Sequence, residues 1–212
     1  ALSSQVFWQY QNDMPTLWRL KNTSMYFSRC YSEIPHTEAT VLAIAEGSVV
    51  SFDPLRDEIP ANMNTHYTDM NLFTLLQNQE YATAGVIYCD SGAPTLTDRI
   101  NGLFSCMDRI CWTRESQGNE ALAKLVGECS AGGRNFAWYF MNMCDAPHFA
   151  ISPESWKEFL PLDVAGVFRQ MMRRMDAAVE QLLAVLIEAN LLDDTVIIAF
   201  GDHDWGFVDR HK

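Results

Sequence analysis

The sequence predicts an α/β fold with a mostly parallel sheet, and three observations carry that prediction. The run Thr195–Phe200 (TVIIAF) is apolar and largely β-branched, and it breaks at Gly201 into Asp202-His203-Asp204. That is the pattern of a buried strand whose polar triplet emerges at its carboxyl edge. Two other apolar runs stop in the same way: Ala84–Cys89 ends at Asp90, and Phe136–Cys144 ends at Asp145, with His148 three residues on. The stretch from Leu162 to Asn190 carries Val167, Met171, Met175, Val179, Leu182 and Leu186 at three- and four-residue steps, with Arg169, Arg173 and Glu180 opposite. This spacing predicts one long amphipathic helix. Helix, the short turn Leu191–Asp194 and then strand make the second half of a β-α-β unit whose first strand is Phe136–Cys144. The right-handed crossover makes those strands parallel, with Asp145 and Asp202 at the same end. That end is where open α/β sheets bind ligands.

The remaining elements follow in chain order. Met14–Leu20 reads as a short helix started at Pro15, followed by extended Ser24–Tyr31. Within Ile34–Gly47, helix formers begin at Glu38, Gly47 is a natural stop, and Thr37 sits where an N-cap residue would. Asn71–Asn78 predicts a helix ahead of the strand at Ala84–Cys89, and Thr95–Phe104 predicts another. The stretch Asp108–Arg134, with Gly118, Gly127, Gly132 and Gly133, reads as loops with a helix at Glu120–Val126. Methionines of the long helix read as core filler. No repeat, low-complexity tract or Pro-rich linker interrupts the chain, so a single domain over residues 1–212 is the simplest organisation.

Composition narrows the function. The chain has 212 residues, 48% of them hydrophobic, enough for one domain that buries roughly 70% of its unfolded surface. Fifteen Lys and Arg against 27 Asp and Glu give a formal charge of −12, which disfavours nucleic acid and anionic membrane as partners. An anionic substrate therefore needs positive charge from the site itself, and metal ions at a carboxylate-rich rim supply it. No transmembrane segment is present, since no apolar run reaches the ~18 residues a span requires, and Ala1-Leu-Ser-Ser lacks the form of a secretory signal. The six cysteines include no C-x-x-C pair, which argues against a structural zinc site. Cys89 and Cys144 read as buried small hydrophobes, whereas Cys106 and Cys111 lie near enough in sequence to be bridged in a loop. Asn22-Thr23-Ser24 fits an N-glycosylation acceptor, which points to a secreted or secretory-pathway location. No G-x-G-x-x-G follows a strand, so a dinucleotide is disfavoured.

Acidic residues crowded at one rim raise one another's pKa unless a cation holds them ionised. Mixed Asp and His donors suit zinc, manganese or calcium. The alternative for each strand-end Asp is to cap the helix that follows, the reading preferred for Asp90 before Ser91-Gly92. Asp202 and His203, two adjacent ligand-type residues behind a Gly, favour the metal.

These residues also carry a resemblance. Leu191–Asp204 (LLDDTVIIAFGDHD) resembles the segment GLxDDTVVIFTSDHG of the alkaline phosphatase and sulfatase superfamily, in which the Asp and His bind the catalytic metal. The helix containing Met175-Asp176, the strand leading to Cys144-Asp145-Ala146-Pro147-His148, and the segments Met14–Leu20 and Phe27–Ser32 resemble further family segments in the same order. The resemblance covers most of the chain and implies a three-layer α/β/α sandwich, alkaline-phosphatase-like. It also implies an incomplete copy, because the family has another metal-binding Asp on an N-terminal strand ahead of this segment and more strands after the Asp-His motif.

Counting back from Gly47 places Thr37 on the family's nucleophile position, which is Thr in nucleotide pyrophosphatase-like members and phosphoethanolamine transferases. Formylglycine sulfatases need C/S-x-P-x-R there, and Thr37-Glu38-Ala39-Thr40-Val41 does not supply it. A hydroxyl at a helix N-terminus beside a divalent metal is a competent nucleophile, because both stabilise its alkoxide; its alternative role is to cap the helix. By the same resemblance Asp202, His203 and Asp145 would bind metal, His148 would bind a second metal or protonate the leaving group, and His36 would contact substrate. The implied protein is a metal-dependent hydrolase or transferase acting on a phosphate ester, in preference to a sulfate ester, through a covalent Thr37 intermediate. Its substrate would be an anionic small-molecule, glycan or lipid ester, and its divalent metal zinc, with calcium and manganese as alternatives. The competing reading is a catalytically inactive sulfatase-like binding or scaffold domain. Asp204 stands where the family commonly has Gly, and His211 and Lys212 read as a chain end.

Overall fold

The computed structural model describes residues 4–28, 37–47, 71–88, 102–113, 118–129, 133–141 and 164–202. Among these residues the centre is a sheet of three parallel strands, β1 (Tyr81–Tyr88), β2 (Arg109–Thr113) and β3 (Arg134–Met141), in the order β2-β1-β3. In register, Tyr88 pairs with Thr113 on one side and Met141 on the other, so all three strands end together. Thr83, Ala84, Gly85, Val86 and Ile87 of β1 are all buried. A central strand buried on both faces is a continuous small-and-apolar run because parallel sheets are covered on both sides.

Helices supply the two covers. On the face carrying Ile87 lie α3 (Thr37–Glu46) and α4 (Leu72–Gln77), whose Val41, Leu42, Ala45 and Phe73 join Leu103, Phe104 and Trp138 in one core. Trp138 stands edge-on to Phe73 at 5.8 Å and to Phe104 at 6.0 Å, the arrangement aromatic quadrupoles prefer. Gly85, its register partner, makes room on this face: a Cβ there would lie 2.9 Å from Sδ of Met107. On the opposite face Leu125 of α5 (Gly118–Cys129) covers Ala84 and Val86, with Tyr139 and Ala121 packed alongside. The long α6 (Val164–Glu188) lies against α5, and its buried Met171, Met172 and Met175 meet Phe7 of α1 (Ser4–Gln9) and Met14 ahead of α2 (Pro15–Thr23). The methionines are core filler, as their spacing predicts, and the architecture is the three-layer α/β/α arrangement expected.

Local chemistry fixes the helix ends. Asn71 caps α4 in a reciprocal box, its side chain accepting from the Thr74 N–H at 2.9 Å while its own N–H donates to Thr74 Oγ1. The chain leaves α3 at Gly47 with φ +63°, a left-handed conformation that glycine adopts without strain. Helix α6 stops in a Schellman motif: Asn190 has φ 54°, Leu191 N–H donates to Leu186 O, and Asn190 N–H to Ile187 O.

The structure corrects three expectations. Strand β2 lies inside the stretch read as loops; it is five residues long and, among the described residues, pairs with β1 alone. Cys106 and Cys111 are both free rather than bridged. Cys111 is committed to β2 opposite Val86, while the Cys106 thiol faces Gly102 O from the preceding turn. The third concerns Thr195–Phe200, expected as a buried strand. It is assigned to no strand among the described residues, with Val196 87% and Ile198 79% exposed. β-Branching favours an extended backbone, but burial and ladder pairing need long-range partners that a local pattern does not specify. Of the helix expected at Thr95–Phe104, residues 102–104 are described and are helical.

Candidate active site at the carboxyl ends of the strands

Sheet topology selects the rim. From β1 the chain moves to β2 on one side, then crosses back over β1 to β3 on the other. Among the described strands the order reverses at β1, so the carboxyl ends of β1 and β3 stand where an open α/β sheet of this order forms its ligand crevice. Asp90 lies two residues beyond β1, and Asp145 four residues beyond β3.

Thr37 is the first residue of α3, one position inside the expected cap. The helix behind it is anchored by Val41, Leu42 and Ala45, so the backbone at Thr37 is tied to the core under β1 and β3. Asp202 is half-buried. It follows Phe200, whose ring stands edge-on to Trp138 of β3 at 6.2 Å, and two residues of extended chain reach at most about 7 Å further. The last segment therefore touches β3 through this ring. His36, Asp145, His148 and His203 lie outside the described residues, as do Cys89 and Cys144. Asn22 is exposed near the end of α2.

Among the described residues no group of three or more His, Cys, Asp and Glu side chains could hold a metal ion. The two carboxylates and two imidazoles expected at the rim from the sequence, Asp145, His148, Asp202 and His203, are donors of a kind that suits zinc, manganese or calcium. One phenol near the sheet is perturbed: burial pushes Tyr139, on the α5 face of β3, above the ordinary value of 10.0. A cavity of about 170 Å³ opens near Ala82, Thr83, Asp108, Arg109, Glu128 and Asn135. It lies at the amino ends of the strands, away from the rim, and is smaller than the ~300 Å³ typical of ligand pockets.

Two carboxylates that sequence reasoning assigned no role prove structural. Asp176 of α6, 4% exposed, accepts from Thr16 N–H at 3.0 Å and Leu17 N–H at 2.8 Å, the free amides at the start of α2. Its signal was indirect: Pro15 opens α2 behind Met14, which carries no oxygen to cap it. Asp108 accepts from the amide and hydroxyl of buried Thr83 at 2.7 and 3.0 Å and from Gln77 Nε2 at 3.1 Å, fastening β2 to β1 at the end opposite the rim.

The model of the sulfatase family matches residues 5–209. The chain belongs to the sulfatase family. Among solved structures, the lipoteichoic acid synthase LtaP from Listeria monocytogenes superposes with a TM-score of 0.62 at 14% identity, covering 86% of this chain and 48% of LtaP. The C-terminal periplasmic domain of EcEptC from Escherichia coli gives 0.61 at 12% identity, covering 87% of this chain and 56% of that one. The same domain in complex with Zn gives 0.59 at 11% identity, with coverages of 84% and 54%. No curated protein matches. The sulfatase-family chain thus shares the alkaline-phosphatase-like fold of these structures and spans about half their length.

Proposed function

We propose that this sulfatase-family chain carries the nucleophile and part of the metal site of a phosphoester hydrolase or transferase. The observation that supports the reading best is Thr37 at the head of α3, anchored beneath a parallel sheet whose three strands end at one rim, in a chain matched by the family over residues 5–209. Thr37 Oγ attacks the phosphorus of the ester; the bond from phosphorus to the leaving oxygen breaks, and His148 delivers a proton to that oxygen. Water, or the hydroxyl of an acceptor, then attacks the phosphothreonine and frees Thr37. A divalent cation held by Asp202, His203 and Asp145 would supply positive charge to the phosphoryl oxygens and lower the pKa of the threonine hydroxyl. His36, next to the nucleophile, contacts the substrate. Zinc is the favoured metal because one similar domain is a complex with Zn and the donors are of its type.

A threonine in place of the cysteine or serine motif that formylglycine formation requires favours phosphate over sulfate. The similarity to a lipoteichoic acid synthase and to a periplasmic domain supports an extracytoplasmic site and a lipid- or glycan-borne phosphoester.

The test is turnover of phosphodiester, phosphomonoester and sulfate-ester substrates by the zinc-loaded protein beside Thr37→Ala and Thr37→Ser, with the metal measured by elemental analysis. Thr37→Ala should lose at least about a thousandfold of the phosphoester activity, of the order seen for lost nucleophiles. Thr37→Ser should retain part of it and show a phosphoryl adduct on the serine-bearing peptide. Equal activity of the alanine variant eliminates the assignment.

A further inference from the structure

Lys21 near the end of α2 places its ammonium over three aromatic rings at once: Trp8 and Trp18 at 4.3 Å each, and Tyr26 at 5.5 Å from the ring centroids. The rings come from α1, from α2 and from the segment after it. Buried Phe7 holds them in place, tilted on Trp18 at 5.7 Å and stacked on Tyr26 at 6.4 Å, while Trp8 stands edge-on to Trp18 at 5.0 Å. The rings thus form a cage braced by Phe7.

The occupant is poorly matched to its cage. A primary ammonium is compact, strongly hydrated and seeks hydrogen-bond acceptors, and no carboxylate among the described residues forms an ion pair with Lys21. Three ring faces around one cation suit a quaternary ammonium, which has no N–H to satisfy and is the usual ligand of aromatic cages. The tethered lysine competes intramolecularly, so a free cation enters only where it fits the rings better than a primary ammonium does. The mouth is open to solvent: Trp8 is 48% and Tyr26 39% exposed, and neighbouring Met25 and Phe27 are 81% and 70% exposed.

We infer that the Trp8–Trp18–Tyr26 cage is a binding site for a quaternary ammonium group of the choline type, with Lys21 as its exchangeable internal occupant. The site does not depend on the catalytic reading and should persist in Thr37→Ala.

Titration calorimetry of wild type and Lys21→Ala with tetramethylammonium, choline, phosphocholine and methylamine tests it. Lys21→Ala should bind the quaternary ions saturably and at least about tenfold more tightly than wild type, since the internal competitor is gone. Methylamine should bind at least about tenfold more weakly than tetramethylammonium. Adding Trp8→Ala, a truncation of a half-exposed side chain, should abolish the binding. Absence of saturable binding by Lys21→Ala, equal affinity for methylamine, or binding unchanged by Trp8→Ala each overturns the inference. Flotation of Lys21→Ala with phosphatidylcholine vesicles, against phosphatidylglycerol vesicles as control, separates the sources of the group. Capture by phosphatidylcholine alone identifies a lipid headgroup, and phosphocholine binding without capture identifies a soluble or polymer-borne one.

Discussion

Asp176 holds the start of a helix 160 residues away in sequence. Helix α2 begins at Pro15, which has no N–H, so its first free amides are those of Thr16 and Leu17, and both donate to this one carboxylate. The charge also complements the helix dipole at its positive end. Asp176→Ala would leave two amides without their acceptor in a buried seam, and we expect a loss of about 2–3 kcal/mol in urea unfolding. Asp176→Asn keeps an acceptor but not the charge and should fall between that variant and wild type. Tyr139 gives a second residue-scale expectation. Burial raises its pKa above 10.0, so as pH climbs past that value the unfolded chain releases a proton that the folded chain still holds. Stability therefore falls as pH rises through 10 and toward the higher folded value. The urea midpoint of wild type should drop more steeply over that alkaline range than that of Tyr139→Phe; parallel profiles would show that the phenol is not responsible.

At the scale of elements, α3 joins the proposed chemistry to the core, and both of its ends are legible. Gly47 ends it with φ +63° in open space, where an added Cβ meets nothing within 4 Å. Gly47→Ala should accordingly cost only the backbone strain, about 1 kcal/mol, and leave turnover unchanged, whereas a larger loss would mean that the helix end packs against something further. The same locality explains which elements could be read in advance. Helix α6 shows its periodicity over 25 residues, and α4 carries its cap in Asn71; in both, sequence neighbours are spatial neighbours. β2 is short and, among the described strands, the outer one, with Arg109 and Cys111 exposed and only Ile110 half-buried among its described side chains, so it presents too few apolar residues to stand out as a strand. Its place is set by β1 and by Asp108 on Thr83. The cap on α2 was invisible for the same reason, since its acceptor arrives from α6. Thr195–Phe200 fails in the opposite sense: its composition states a strand strongly, while its exposed Val196 and Ile198 have no sheet neighbour among the described residues. Of the candidate site, the parallel strands β1 and β3 were legible in their apolar runs, whereas the crossover that was to set Thr195–Phe200 beside β3 as a strand did not hold, because that segment is assigned to no strand among the described residues. Side-chain roles are proposals drawn from family motifs, since spacing alone assigns none.

For the molecule as a whole, the proposed site requires segments far apart in sequence to meet, and the contact of Phe200 with Trp138 is the described observation that supports it. Asp145 and His148 follow β3; Asp202 and His203 follow the segment that touches β3 through Phe200 and Trp138. A dication bound between them would tie that exposed segment to the sheet and relieve carboxylate repulsion in a chain of net charge −12. Because the unfolded chain offers no such arrangement, binding should raise stability by about 2.7 kcal/mol at a free metal concentration 100 times Kd. We therefore expect chelator-stripped protein to show a clear rise in Tm on adding Zn, and Asp202→Asn to lose most of it. Relief of repulsion alone would be reproduced by sodium chloride, through screening over a Debye length of ~10 Å at 0.1 M, and would survive Asp202→Asn. A zinc effect matched by salt, or indifferent to the Asp202 substitution, would remove the cation from the rim and the phosphoryl-transfer reading with it.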